Sequence, residues 1–281
     1  MPELPEVETI RLGLQKYLIG HKIVSVQIRV PKIFIGSVKQ VVGAKIIGLK
    51  RIGKGLIIEL NNNFVLAVHL KMTGQLVYRD EKTKRLALSV KTGGEKLPSK
   101  YSHLILVLDN GAFLYYNDLR RFGWIKAIRK DQLMQMPFFK EMGPEPFKDL
   151  TLEKFKEIIF KSNLVIKILL MDQKRIGGIG NIYANDALFE AKIAPTRKVR
   201  SLSSEEIKKL YEAILDVLRK GLEYGGSSDE NFVNALGQEG NYQNHTLVYG
   251  REKEPCKNCK TLIKKIKLGG RGTYYCPACQ K

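Results

Sequence analysis

Hydrophobic positions change their period along the 281-residue chain. Near the start, Val7, Ile10, Leu14 and Leu18 recur at three- and four-residue spacing, which places them on one face of a helix. Pro5 suits the first helical turn, Glu6 and Glu8 complement the positive end of the helix dipole, and Gly20 is the stop. Across residues 22–130 the pattern becomes short β-rich runs: Ile23–Ile28, Leu56–Leu60, Phe64–Leu70, His103–Leu108 and Phe113–Tyr116. Turn clusters such as Asn61-Asn62-Asn63 and Asp109-Asn110-Gly111 separate them. Many short strands behind a single helix predict a β-sandwich with a leading helix. The polar stretch from Arg79 to Lys100 has no period and reads as a mobile loop.

Helical spacing takes over after Gly143-Pro144-Glu145-Pro146, which reads as a hinge or linker. Leu164–Asp172 and Ile182–Ala191 are short helices around a glycine-rich turn. Ser203-Ser204-Glu205-Glu206 is a capping box that opens a long helix with Ile207, Leu210, Ile214, Leu218 and Leu222 facing inward, ended by Gly225-Gly226. The tail from Arg251 is a separate small module, and no internal repeat is present. The fold class is therefore α+β, divided as a sandwich over residues 1–134, a helical domain over 144–250 and a terminal module over 251–281.

That module owes its fold to metal. Cys256-x2-Cys259 and Cys276-x2-Cys279, separated by 16 residues, have the spacing of a four-cysteine zinc ribbon. A tail this short could not fold on a hydrophobic core of its own. Four thiolates fill a tetrahedral Zn2+, so the ion is expected to be structural. Forty-eight Lys and Arg against 28 Asp and Glu leave a net charge of +20, which favours a nucleic-acid partner over an anionic membrane surface. No stretch approaches the roughly 18 apolar residues of a membrane span, and the charged N-terminus lacks a signal-peptide core. A cytoplasmic location is expected. Between the knuckles, Gly269-Gly270-Arg271-Gly272 would present Arg271 at a hairpin tip, on a module with nine Lys or Arg against two Glu.

The first residues carry candidate chemistry. Pro2 follows the initiator Met1, whose removal would expose a secondary amine. An α-amino group titrates near about 7.7–8.0 against about 10.4 for lysine, so much of it is unprotonated at neutral pH. Such an amine can attack a sugar anomeric carbon, and Glu3 beside it can handle protons. By themselves these two residues would read simply as a helix start.

The wider constellation changes that reading. Pro2-Glu3-Leu4-Pro5-Glu6, Lys50-Arg51-Ile52-Gly53-Lys54, His69-Leu70-Lys71-Met72-Thr73-Gly74 and Asp118-Leu119-Arg120-Arg121-Phe122-Gly123 occur in that order. Leu169-Leu170-Met171-Asp172, Gly178-Ile179-Gly180-Asn181-Ile182-Tyr183-Ala184, Val248-Tyr249-Gly250-Arg251 and the four cysteines follow. Together they resemble the formamidopyrimidine-DNA glycosylase family of bacteria, from Pro2 to Lys281. The resemblance implies a bifunctional glycosylase and AP lyase that flips oxidised purines out of duplex DNA, with a helix–two-turn–helix element in the helical domain. It makes Pro2 the nucleophile at C1′ and Glu3 the acid that opens the sugar. It puts Lys54 on the lesion phosphates with a part in β-elimination, and Arg271 at the δ-elimination end. Met72, Arg120 and Phe122 would fill the gap left by the flipped nucleotide, although without the neighbouring motifs Met72 and Phe122 would read as core. Asn181 and Lys167 would hold the DNA backbone.

Leu4 fits the purine-lesion branch better than the endonuclease VIII branch. Some positions depart from the family. Leu119 stands where Pro is frequent, Tyr101 occupies the place of a DNA-contacting histidine, and Asp186 replaces a Glu. The Arg79–Lys100 loop is longer than is common, and Ser227–His245, where the lesion-capping loop lies, diverges. Two alternatives stay open: an oxidised-pyrimidine glycosylase, or a non-catalytic zinc-ribbon protein that binds DNA. A monomer is expected.

Overall fold

A computed structural model describes residues 1–281. The chain divides into two compact units, residues 1–140 with 222–243, and residues 141–221 with 244–281.

The first unit opens with helix α1, Leu4–Leu18, whose Val7, Ile10, Leu14 and Leu18 are fully buried, as their spacing requires. Nine strands follow: β1 (Ile23–Ile28), β2 (Phe34–Ile35), β3 (Ile46–Ile52), β4 (Gly55–Leu60), β5 (Phe64–His69), β6 (Gly74–Arg79), β7 (Ser102–Leu108), β8 (Phe113–Asp118) and β9 (Trp124–Arg129). They form a four-stranded sheet in the order β1-β7-β8-β6 and a five-stranded sheet in the order β2-β9-β5-β4-β3. One core joins both sheets to α1, with Leu66, Val68, Leu56 and Ile58 from one sheet meeting Leu104, Leu106, Leu114 and Tyr116 from the other. The first unit is thus the expected sandwich with a leading helix.

The outer face of the five-stranded sheet is covered as well. Ile57, Val65 and Ala67 pack against Leu133 and Phe139, the latter on the short helix α2 (Pro137–Lys140). Burial on both faces explains why β4 reads as a continuous apolar run rather than an alternation. The free edge at β6 is closed by the 222–243 segment, where the Tyr78 N–H donates to Ala235 O at 2.8 Å and Phe232 and Ala235 enter the core.

The connection from β6 to β7 differs from the mobile loop expected of it. It contains two 3-10 turns, Thr83–Arg85 and Val90–Thr92, and Thr83 and Thr92 are buried. Asp80 accepts hydrogen bonds from Lys82 N, Thr83 N and Thr83 Oγ1, and Ser89 caps the second turn through Lys91 N. Short-range polar capping of this kind leaves no hydrophobic period to read.

The second unit carries α3 (Leu152–Phe160), α4 (Ile166–Met171), α5 (Asn181–Glu190) and most of α6 (Ser204–Glu223). The capping box at the head of α6 is present, with Ser203 N donating to Glu206 Oε2 at 2.8 Å and Glu206 N to Ser203 Oγ at 3.2 Å. The terminal hairpin pairs β10 (Lys264–Leu268) with β11 (Arg271–Tyr275). Its knuckles share a small core with Phe189, Val248 and Ile263. No helix is long and apolar enough to cross a membrane.

Candidate active site and nucleic-acid interface

Pro2 and Glu3 lie buried at the head of α1, where Glu3 is the N-cap. Glu6, itself 1% exposed, holds this end with both carboxylate oxygens. Oε2 accepts the Glu3 N–H at 2.8 Å, and Oε1 accepts the Ser227 N–H at 2.8 Å. Gly226 precedes that contact in a left-handed conformation, φ +85°, and a Cβ there would stand 3.1 Å from Glu6 Cγ. Met1 is present in the described chain, its ammonium 2.8 Å from Glu230. The N-terminal end and the 226–231 backbone are therefore physically joined.

Lys54 lies buried in the β3–β4 turn, next to left-handed Gly53. Arg51 ties this turn to α1, donating through Nη1 to Gly53 O at 2.9 Å and through Nε to Glu8 at 3.1 Å. Burial raises the Glu8 carboxyl, but hydrogen bonds and charge from Arg11 and Arg51 outweigh it and leave the group below its ordinary value. A charged strut thus fixes Lys54 relative to α1, the helix that follows Pro2 and Glu3.

His69, paired across the sheet with Gly55, lies in one of the family motifs, but the sequence alone assigns it no role. Its Nδ1 accepts the Lys71 N–H at 2.8 Å, which leaves Nε2 as the protonated nitrogen of a neutral ring. Burial, then the nearby charges of Lys71 and Lys54, lower its pKa to about 3. The ring is therefore a neutral N–H donor beside two cations.

Met72 lies in the turn between β5 and β6, and Arg120 and Phe122 lie between β8 and β9. Phe122 is 54% exposed, which rules out the core reading for that ring, and Arg120 stacks on it with Cζ 4.6 Å from the ring centroid. One buried carboxylate fastens both loops. Asp118 accepts from Thr73 Oγ1, from Gly123 N at 2.8 Å and from Arg120 N at 3.2 Å. The Arg120 N–H also reaches Thr73 Oγ1 at 2.9 Å. Sequence reading passed over Asp118 because its function is to hold loops together, which only their proximity reveals.

Beside these loops is a cavity of about 170 Å³ lined by Thr73, Gln75, Tyr101, Asn117, Leu119 and Asn231, among others. Its amides are ordered: Gln75 Nε2 donates to Asn231 O at 2.7 Å, and Asn117 Nδ2 to Gln75 Oε1 at 3.3 Å. Tyr101 lies across Gly93, where a Cβ would come within 2.2 Å of the ring. His103, two residues on, is buried with Nε2 on Asp118 O at 2.8 Å.

In the second unit, three predicted residues meet. Asn181 opens α5, and its Nδ2 donates to Gly272 O at 3.1 Å, next to exposed Arg271 at the hairpin. Lys167 departs from its expected place on a DNA backbone: it is 1% exposed, with Nζ on Gly272 O at 3.0 Å and Thr273 Oγ1 at 2.7 Å. Its ammonium serves as an internal strut that fixes the hairpin against α4. Gln173 braces the glycine turn by accepting from Gly178 N at 3.0 Å and donating to Ile179 O at 2.7 Å. Asp186, one methylene shorter than the family Glu, still accepts the N–H groups of Leu247, Val248 and Tyr249 at 3.0–3.1 Å.

The sulfurs of Cys256, Cys259, Cys276 and Cys279 all lie within 4.8 Å of one another. Cys256 to Cys279 is 3.9 Å and Cys259 to Cys276 is 3.4 Å. Four thiolates around tetrahedral zinc at about 2.3 Å would stand about 3.8 Å apart, so the cluster fits the ion.

Three family models cover the chain: the formamidopyrimidine-DNA glycosylase N-terminal domain over residues 1–125, its H2TH domain over 142–233, and the zinc finger found in FPG and IleRS over 253–281. A curated formamidopyrimidine-DNA glycosylase of Pelotomaculum thermopropionicum is 42% identical over 100% of this chain and 99% of its own. The chain belongs to the formamidopyrimidine-DNA glycosylase family. Among solved structures, a Lactococcus lactis FPG mutant bound to Fapy-dG-containing DNA matches with a TM-score of 0.87, at 36% identity and full coverage of both chains. The wild-type Lactococcus lactis protein bound to DNA containing an oxidised pyrimidine matches with a TM-score of 0.86, at 35% identity and full coverage of both. Family membership and the four-thiol cluster together make the terminal module a site for one structural Zn2+. Zinc supplies the cross-link that folds the ribbon, and the four cysteines are the residues that hold it.

Proposed function

We propose that the chain excises oxidised purines, 8-oxoguanine and formamidopyrimidines, from duplex DNA and then cleaves the strand. The observation that carries this reading is the N-terminal end itself. Pro2 adjoins a buried carboxylate, Glu3, and the Arg51–Glu8 strut ties the Lys54 turn to the same helix.

Once Met1 is removed, the Pro2 nitrogen lone pair attacks C1′ of the flipped nucleotide, the bond from C1′ to the base breaks, and the proton shed by the amine balances the one taken up by the departing base. Glu3 delivers a proton to the ring oxygen as the sugar opens, leaving an iminium between Pro2 and C1′. Loss of a C2′ proton expels the 3′ phosphate, and a second elimination expels the 5′ phosphate. Lys54 and the neutral His69 N–H hold the phosphates, and Arg271 stabilises the departing one. Met72, Phe122 and Arg120 fill the vacated stack, with Arg120 on the orphaned base. The cavity bounded by Thr73, Gln75, Tyr101, Asn117 and Asn231 takes the damaged base. Asn181 and the α5 N-terminus hold the DNA backbone. We assign the active form as a cytoplasmic monomer.

Borohydride trapping tests the reading. A duplex with 8-oxoguanine opposite cytosine should give a covalent protein–DNA adduct, faster than a thymine glycol duplex. Equal or faster trapping on thymine glycol would move the assignment to the pyrimidine alternative. No adduct on either would leave only a DNA-binding protein.

A further inference from the structure

The 226–240 backbone is held from two sides within the first unit. On one side Ser227 N donates to Glu6 Oε1, as described above. On the other, the second 3-10 turn of the β6–β7 connection grips it. Ser89 N donates to Gly237 O at 2.8 Å, and Ser89 Oγ to Glu239 Oε1 at 2.6 Å. Lys91 Nζ reaches Glu239 Oε2 at 2.8 Å and also bonds Ser228 O. Leu88 lies so close to Gly237 that a Cβ there would stand 2.4 Å from its Cδ2, and Gly237 is left-handed at φ +75°. Inside the segment Ser228 Oγ closes the turn, donating to Phe232 O at 2.8 Å and accepting from Gly240 N at 2.9 Å.

We propose that Ser89 and Lys91 are positioning residues: with Glu239 they form a latch that keeps the 226–240 segment closed over the base cavity. The segment brings Asn231 to that cavity, so its closure matters while a damaged base occupies the cavity. An abasic sugar places nothing there, and its cleavage does not depend on the latch. The Lys91–Glu239 pair is half-exposed and weak as an isolated ion pair. Its effect comes from acting together with the Ser89 bonds on one short segment. Hydrogen bonds to Lys91 and Ser89 hold the Glu239 carboxyl below its ordinary value, consistent with a paired anion.

This inference rests on the glycosylase reading, and its test separates the two. Single-turnover rates are measured for wild type and Glu239→Ala on an 8-oxoguanine duplex and on a preformed abasic duplex. Losing the charge-assisted bonds should slow base excision about tenfold and leave abasic cleavage within about twofold. Lys91→Ala should slow excision similarly, Lys91→Arg should retain most of it, and Lys91→Ala/Glu239→Ala should be no slower than either single variant. Amide exchange across residues 227–240 should quicken in Glu239→Ala. Unchanged excision and exchange, or equal slowing on both substrates, would overturn the latch. If wild type cleaved neither substrate, the glycosylase reading would fail, and the exchange result alone would decide whether the latch exists.

Discussion

Removing the Asp118 carboxylate should damage stability and strand insertion together. The group is fully buried and accepts from Thr73 Oγ1, Gly123 N and Arg120 N. The Arg120 N–H retains Thr73 Oγ1 as a second acceptor at 2.9 Å, so Thr73 Oγ1 and Gly123 N lose their main partner in Asp118→Ala, and the Tyr116 hydroxyl loses a longer contact at 3.5 Å. Hydrogen bonds to a charged group contribute about 1.5–3 kcal/mol each, so the loss is about 3–6 kcal/mol. In a unit of this size that lowers Tm by roughly 6–24 °C. Asp118→Asn keeps the volume and one oxygen, so it should lose less stability, yet it turns an N–H toward donors and loosens both loops. A duplex with 2-aminopurine opposite the lesion reports insertion of the Arg120 and Phe122 loop as a fluorescence change in stopped flow. Below its own Tm, Asp118→Asn should insert at least about tenfold more slowly than wild type, a change of about 1.4 kcal/mol in barrier. If Asp118→Asn melted within about 2 °C of wild type and inserted at the wild-type rate, the carboxylate could not be the fastening described.

Zinc and His69 give two further outcomes. Chelating zinc should unfold the ribbon, release one ion per chain and remove the Gly272 carbonyl that Asn181 and Lys167 share. Metal-indicator titration and DNA-binding isotherms check this, and full affinity in the metal-free protein would contradict it. His69 is held at about 3 in the folded protein against an ordinary value near 6.5, so the unfolded chain binds the extra proton between those limits. Stability should accordingly rise with pH from about 3 to 6.5, with a His69 contribution approaching 1.4 kcal/mol per pH unit in mid-window. NMR titration should find the His69 ring neutral at pH 5, and protonation near 6.5 would refute the assignment.

Much of the fold was legible because burial imposes a period. The α1 stripe and the runs at β1, β4, β5, β7 and β8 stand out as apolar patterns, and the two CxxC knuckles declare a metal by their spacing. Strands β3 and β6 were harder to see. β3 carries Lys50, which pairs with Glu59 on β4, and Arg51, which braces the Lys54 turn, and β6 is buried through Gln75 and Arg79, polar residues that bond to loops. The order within 79–100 was hidden for a related reason, since it rests on side-chain caps at Asp80 and Ser89. In the site, Pro2, Glu3, Lys54 and the cysteines were legible through motifs. The Glu6–Ser227 bond joins residues 221 positions apart, and the Asp118 fastening joins two loops 45 apart, so neither has a local signature. Lys167 misled because a lysine in a DNA-binding element invites a phosphate, whereas here its ammonium is buried on the hairpin.

The most direct test of the chemistry is peptide mass spectrometry of the borohydride-trapped complex. The account predicts that the modified peptide begins at Pro2, lacks Met1 and carries the reduced sugar on its amino-terminal nitrogen. A sugar found on Lys54 or another lysine, or an intact Met1 in protein that excises lesions at full rate, would contradict it.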